Sequence, residues 1–411
     1  MAKDDRKIAI LGAGGAGACT ALELAQRGFN VELFERQPEA LSQASFANEG
    51  KIHLGLIYAK DTSLATAAQM IEGALEFEGN LERWVSFSAA DVISTPFVYG
   101  VHKGSLLSPE AIEAHYQRCH AHYAERAAAT GLDYLGLGEG SHSRRLDHRE
   151  WPDTLSPEFL EAIFETKEYA VDPRAVAEIL RKGLAHEPRI QLRTDHRVLG
   201  IEPSRTSGFK VRFEVDGQIQ TEWFSDVANT TWHERLPLDR PLGIQPPAAY
   251  SHRYKFGHRL ALPLRPDELP SITCVQGPFG DIVNFGDRGA FLSWYPCGRT
   301  EMSTEESPPD WHAAYTPEER FAVFDRSLEA CIERCPALAT LPLNRNNVDP
   351  YGGVIYALGT TDVDDEKSGL HERFEIGIQS RGRYHSLDPG KYTLVPYWAL
   401  RLADRIEAAA G

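Results

Sequence analysis

The chain is poor in cysteine, in long apolar runs and in positive charge, and each shortage removes a class of protein. Six cysteines in 411 residues (Cys19, Cys119, Cys274, Cys297, Cys331, Cys335) are too scattered for a disulfide framework. Only Cys331 and Cys335 lie close, in "LEACIERCPAL", where four-residue spacing marks one helix face. No histidine or cysteine follows at zinc spacing, so no metal is expected. No stretch approaches the roughly 18 apolar residues of a membrane span, and "MAKDDRK" before a short strand is not a signal peptide. The expectation is a cytoplasmic protein without a transmembrane segment. Lys and Arg number 43 against 59 Asp and Glu, a formal net charge of −16. A nucleic-acid surface needs the opposite excess, so no nucleic-acid partner is expected. Repeats and low-complexity tracts are missing too, and the length suits two domains.

What is present begins with "IAILGAGGAGACTALELAQRGFNVELFERQ", Ile8 to Gln37. An apolar run of strand length is followed by Gly12, Gly14 and Gly17 at G-x-G-x-x-G spacing, then a helix to Arg27, Gly28 as its stop, and a second strand ending at Glu35. In such a unit Gly12 permits a tight turn, and Gly14 lets the backbone approach a pyrophosphate. Gly17 lets helix and strand pack closely, and the phosphates rest on the positive end of the helix dipole. Gly15 and Ala16 complete the turn. Glu35, 18 residues beyond Gly17, stands where a carboxylate accepts ribose hydroxyls and repels a 2′-phosphate, which disfavours NADP.

Further along, "SPEAIEAHYQRCHAHYAERAAATG" reads as an amphipathic helix opened by Ser108-Pro109 and stopped by Gly131. "LDHREWPDTLSPEF" reads as a crossing between domains. A hairpin turns at Asp216-Gly217, and residues 237–342 read mostly as strands and turns, with a helix near Pro317 to Cys335. A last helix spans about Pro396 to Ala409.

Four segments together resemble the FAD-dependent oxidoreductases of the D-amino-acid oxidase superfamily. They are the N-terminal unit, "SQASFANEGKIHLGLIY", "YAVDPRAVAEIL…RVLGIE", and "YGGVIYALGTTD…GIQSRGRYHSLDPGKYTLVPYWALRLADRI". The resemblance implies an α/β fold, with a Rossmann-type FAD-binding domain and an interleaved mixed α+β substrate domain. The FAD-binding domain is expected from 1–88, 163–234 and 348–411, and the substrate domain from 89–162 and 235–347. It also implies FAD as cofactor, held by Glu35 and Arg36, by Ser42, Ser45, Asn48, Lys51 and Ile52, and by Val198 on the adenine-side strand. Gly353, Gly390, Lys391, Tyr392 and Thr393 belong to the late flavin loop. Where relatives read A-x-G-x-W, this chain reads "VANTTWHE", which puts the contacts of Asn229, Thr230 and Trp232 in question.

Oxidation of a C–H bond beside nitrogen or oxygen needs positioning, and alcohols also need a group to take the hydroxyl proton. His53, in the segment expected beside the flavin ring, is the candidate base, with Tyr384 and His385 competing for the role. Arg253, Arg259 and Arg383 are the candidate holders of a small carboxylate, with Arg373, Arg381 and Lys391 as further cations. Cys297 is a candidate for a covalent flavin link. The reading is an FAD oxidoreductase that takes hydride from a C–H next to a hydroxyl or amine of a small, carboxylate-bearing substrate. Oxygen or another acceptor receives the electrons, and the oligomeric state stays open. The alternatives are an oxidase or tailoring enzyme for a larger amine, and a flavin-free binding scaffold of the same fold.

Overall fold

The computed structural model describes residues 6–409 except 139, 205–207, 364, 366 and 367. Strand β1 (Lys7–Leu11) is apolar on both faces, and Ile8 to Leu11 are fully buried. Continuous apolarity of this kind marks a strand covered on both sides. Helix α1 (Gly15–Gln26) follows after the three-residue turn Gly12–Gly14, and its Ala- and Leu-rich sequence favours helix. Gly28, at φ +90°, ends the helix and returns the chain to strand β2 (Asn30–Phe34), which pairs in parallel with β1 from Lys7↔Asn30 to Leu11↔Phe34.

These strands form the centre of a six-stranded sheet. Its order is Gly377–Arg381, Tyr384–Asp388, Asp226–Asn229, β1, β2 and Ile190–Arg193, parallel except for the first strand. The C-terminal helix Val395–Ala408 packs on α1, so the end of the chain covers its beginning. A three-stranded antiparallel sheet (Arg197–Pro203, Phe209–Val215, Gln218–Phe224) covers the other face through Phe209, Val211 and Phe213. The buried Arg6–Asp226 pair, bidentate at 2.6 and 3.1 Å, ties the start of the sheet together, and Arg6 also donates to Ile406 O at 2.9 Å.

A second, nine-stranded sheet runs Arg299–Ser303, Tyr250–Leu260, Ala290–Trp294, Gly280–Asn284, Ser271–Val275, Phe97–His102, Leu160–Thr166 and Ser143–Arg145. Val348–Leu358 also pairs with Tyr250–Leu260. Two expected boundaries fall on this sheet. Position 163 divides Leu160–Thr166, which is antiparallel to Phe97–His102. Residues 348–358, placed in the FAD-binding domain by the resemblance of "YGGVIYALGTTD", pair along their full length with Tyr250–Leu260. The glycines make room within that pairing: a Cβ on Gly352 would meet the Tyr254 ring at 2.3 Å. A two-stranded ribbon, Lys51–Ile52 with Tyr169–Ala170, lies between the sheets. No helix among the described residues is long and apolar enough to cross a membrane.

Candidate active site

The C-terminal ends of β1, β2 and Asp226–Asn229 open onto a cavity of about 590 Å³, and inner strands of the nine-stranded sheet, among them Tyr250–Leu260, Ser271–Val275 and Gly280–Asn284, close its other side. A crevice beyond the carboxyl ends of parallel strands is where such folds take ligands. At one end the wall is Gly12, Gly14, Gly15 and Ala16. Gly12 sits at φ +90°, where its backbone passes Thr230 and Thr231 closely: a Cβ would come within 3.0 Å of Thr231 Cα. Gly17 is not in the wall. A Cβ there would stand 2.0 Å from Gly12 O, which is the close helix–strand packing expected of it. Gly15 N–H donates to Ser45 Oγ at 2.7 Å, so the polar loop is fastened to the helix start.

Glu35 accepts from Ala13 N–H and Gln37 N–H, both at 2.9 Å. Burial pushes its carboxyl up, and the backbone donors partly oppose the shift. Arg36 pairs with Glu234 across this end of the cavity. Ser42, Asn48, Val198, Thr230 and Trp232 also line it. Trp232 adopts φ +57°, unusual for a bulky residue, and donates from Nε1 to Val354 O at 2.9 Å.

The other end is charged. Gly353, Gly390, Lys391, Tyr392, Lys51 and His53 line it, together with Glu49, Tyr58, Lys255, Gln276, Asp281 and Arg373. Lys51 Nζ donates to Thr273 Oγ1 and, at 2.8 Å, to Asp281 Oδ1, and stands 4.3 Å above the Phe97 ring. Burial is the largest influence on Asp281 and pushes it up. Lys51 and Lys255 overcome that and hold it well below the usual carboxylate range. Lys51 is thus neutralised, whereas Lys255 and Lys391 have no carboxylate within ion-pair distance among the described residues. Burial, reinforced by Arg373, pushes Lys391 down to about 8.

His53 is buried with its ring edge-on to Tyr58, centroids 5.6 Å apart. Its backbone N–H donates to Thr393 Oγ1 at 3.0 Å, and Thr393 donates in turn to Lys51 O at 3.1 Å. Nδ1 lies 3.4 Å from Glu168 Oε1, a separation of ion-pair type without hydrogen-bond alignment. Burial lowers the imidazole pKa and Glu168 opposes, leaving a net lowering that favours the neutral ring.

Several expected residues lie elsewhere. Tyr384 donates to Asp239 Oδ1 at 2.6 Å inside a buried knot with Asn229, whose amide donates to Asp239 Oδ1 and to Tyr384 OH. Neither side chain reaches the cavity, because strand alternation turns them into the sheet's packed face. His385, on the opposite face, is buried against Ser380 Oγ at 2.8 Å. Ile52 is core, and Thr393 braces the wall from behind. Arg259 is spent on Asp172 at 2.8 Å, Arg253 donates to Thr361 O at 2.8 Å, and Arg381 donates to Leu242 O. Arg383 stands 3.8 Å from Asp226 at the far edge of the sheet. None of the four lines the cavity, and neither does Cys297. Of the cations considered from sequence, Arg373 and Lys391 line it. Lys255, two residues beyond Arg253 on the same strand, also lines it and was missed, since nothing local in "SHRYKFGHRL" distinguishes it from the arginines beside it. Glu168 had no sequence signal beyond its place four residues before Asp172.

A sequence profile described as FAD dependent oxidoreductase (DAO) matches residues 7–365. The chain belongs to that family. Among solved structures, this FAD-dependent oxidoreductase is similar to glycine oxidase from Geobacillus kaustophilus, with TM-score 0.67 and 16% identity over 98% of this chain and 95% of that one. It is also similar to FAD-bound L-alpha-glycerophosphate oxidase from Mycoplasma pneumoniae, with TM-score 0.64 and 16% identity over 98% and 94%. L-amino acid deaminase from Proteus myxofaciens gives 0.64 and 15% over 100% and 91%. A short stretch of 49 residues is 47% identical to a D-amino acid dehydrogenase of Cereibacter sphaeroides, covering 12% of this chain and 11% of that protein. The fold is therefore a Rossmann-type FAD-binding domain with a substrate domain, and FAD is the cofactor. The cavity fits that cofactor. A glycine-walled turn at a helix N-terminus faces one end, a carboxylate flanks it, and a Cβ on Gly353 would press to 3.3 Å on Ala47 O.

Proposed function

We propose that this FAD-dependent oxidoreductase oxidises a C–H bond next to a hydroxyl or amine of a small, carboxylate-bearing substrate. FAD, when bound, supplies the hydride acceptor at its N5, and oxygen or another acceptor later takes the electrons. The observation that carries the reading is a buried histidine, His53, in the same cavity end as Lys255, Lys391 and Arg373. The cations hold the substrate carboxylate. His53 accepts the hydroxyl proton at Nε2, the nitrogen left toward the cavity when Nδ1 faces Glu168. Gly12, Gly14, Gly15 and Ala16 are assigned to the pyrophosphate and Glu35 to the ribose. Ser42, Ser45, Asn48, Lys51, Val198, Thr230, Trp232, Gly353, Gly390 and Tyr392 are assigned to the rest of the cofactor, and the backbone beside Lys391 to its ring edge. We also assign cofactor binding to the six-stranded sheet and substrate binding to the nine-stranded one.

The neighbours' printed activities fall on both sides of the hydroxyl–amine question, with glycine and L-amino acids on one and L-alpha-glycerophosphate on the other. The test is an anaerobic screen of amino and hydroxy acids for bleaching of the flavin band, followed by rapid mixing with His53→Gln. With a hydroxy acid, reduction should slow by about 10²- to 10⁴-fold while FAD stays bound. With an amine, whose own lone pair assists hydride loss, the change should be small. An unchanged trace with a hydroxy acid removes His53 from the mechanism.

A further inference from the structure

We infer that Glu168 is the positioning residue of this site: its carboxylate fixes the His53 imidazole with Nε2 toward the cavity and balances the positive charge the ring acquires on taking a substrate proton. The inference rests on the base role proposed for His53.

Glu168 lies just past the strand Leu160–Thr166 and is fully buried. Its backbone is held from both sides, its N–H donating to Thr166 Oγ1 at 3.1 Å and its carbonyl accepting from Phe97 N–H at 2.9 Å. Its Oε2 accepts from Leu54 N–H at 2.6 Å, and its Oε1 accepts from Tyr99 O–H and faces His53 Nδ1. Among the described residues no lysine or arginine lies within ion-pair distance of it. A buried carboxylate held only by neutral donors is short of one positive charge. The two donors, one on each oxygen, satisfy hydrogen bonding but supply no charge. An ionised group here becomes useful when the neighbouring ring turns cationic.

The groups facing His53 fit this role. Tyr58 comes from the turn Leu56–Tyr58, Tyr99 from Phe97–His102 behind Glu168, Lys51 from the adjoining strand, and Lys391 from the late loop. Both lysines oppose protonation of the ring, Lys51 being already matched by Asp281. Glu168 is the anion that favours it. When a hydroxyl-bearing carbon is oxidised, its C–H electron pair leaves as hydride to FAD, the O–H proton passes to His53 Nε2, and a C=O bond forms. The imidazolium so created stands beside the Glu168 carboxylate. The hydrogen bond to Leu54 N–H, one residue after His53, also fixes the segment that carries the ring.

The test is an NMR titration of the holoenzyme carrying ¹³C-labelled histidine, with the His53 signal assigned by its loss in His53→Gln. In Glu168→Gln the His53 pKa should fall by about 1 to 2 units, because the one favouring charge is gone. The acid limb of kcat/KM should move to lower pH with it, and flavin reduction should slow by about tenfold or more. Tyr99→Phe removes a donor from the carboxylate, leaves more of its charge for the ring, and should raise the His53 pKa. It decides the matter if Glu168→Gln does not fold. An unmoved His53 titration in Glu168→Gln, or a fall in Tyr99→Phe, overturns the inference. Slow reduction in His53→Gln with an unmoved titration in Glu168→Gln sinks Glu168 alone, whereas unimpaired reduction in His53→Gln sinks the base itself.

Discussion

Replacing Glu35 by alanine separates two roles that the carboxylate combines. Its two oxygens accept from Ala13 N–H and Gln37 N–H, each at 2.9 Å, and each oxygen keeps a second lone pair for a ribose hydroxyl. Ala13 is fully buried and Gln37 is half-exposed, so water can replace the second bond but not the first. Orphaning the Ala13 amide should destabilise the protein by about 1 to 3 kcal/mol. That cost falls on apoprotein and holoprotein alike and cancels from the FAD dissociation constant. Loss of charged acceptors for the ribose does not cancel, and should weaken FAD by a further 1 to 3 kcal/mol, about 5- to 160-fold. Denaturant unfolding of the apoprotein reads the first term. Titration of the apoprotein with FAD, followed by flavin fluorescence, reads the second. Glu35→Gln, which keeps one acceptor oxygen, should fall between alanine and parent in both. If Glu35→Ala unfolds more easily yet binds FAD with the parent's constant, the acid is a brace for the turn and the ribose assignment fails.

Four further outcomes are expected. Because Lys391 is pushed down to about 8, its charge is present below that pH and lost above it. KM for a carboxylate substrate should therefore climb from pH 8 toward 10, and Lys391→Arg should flatten the climb; a parallel rise in that variant refutes the assignment. By the same shift the unfolded chain binds more protons across this window, so Lys391 makes the apoprotein more stable as pH rises from 8 toward the ordinary lysine value, the opposite sign to the loss of binding. Arg6→Met, which strands the buried Asp226 carboxylate, should cost about 3 to 5 kcal/mol in denaturant unfolding; a loss below about 1 kcal/mol would mean that Asp226 is protonated or hydrated in the variant. The acid limb of kcat/KM should lie below pH 6.5, because the His53 pKa is lowered from its ordinary value; a limb above 6.5 would assign it to another group.

The cofactor end was legible because its chemistry is local. A glycine turn, a helix start and a terminal acid all fall within 30 residues, and backbone geometry leaves few residue types for those positions. The charged end is assembled from strands far apart in sequence, and no local motif marks it. The cations chosen from "SHRYKFGHRL" are consumed by Asp172 and by the Thr361 carbonyl, while Lys255, on the same strand, lines the cavity. Tyr384 and His385 were read as loop residues but are strand residues, and a strand sends successive side chains to packed faces on either side. Glu168 could not be read at all, since a carboxylate gains meaning from what stands beside it, and His53 is 115 residues away in sequence.

The closure of the chain's end over its beginning bears on the timing of synthesis. The glycine turn leaves the ribosome first, but His53 is anchored by Thr393, 340 residues later, and α1 is covered by the helix Val395–Ala408. Until those last residues emerge, the apolar flank of α1 has no cover, and the ring end of the cavity has no floor. Contacts of such sequence separation form slowly, and their surfaces stay open meanwhile. The nascent chain thus spends nearly its whole synthesis with a complete phosphate-binding turn and no site to attach it to, which makes FAD a ligand of the finished fold. A chain truncated before Val395 should therefore be colourless and in need of a chaperone, although it retains every residue of the glycine motif.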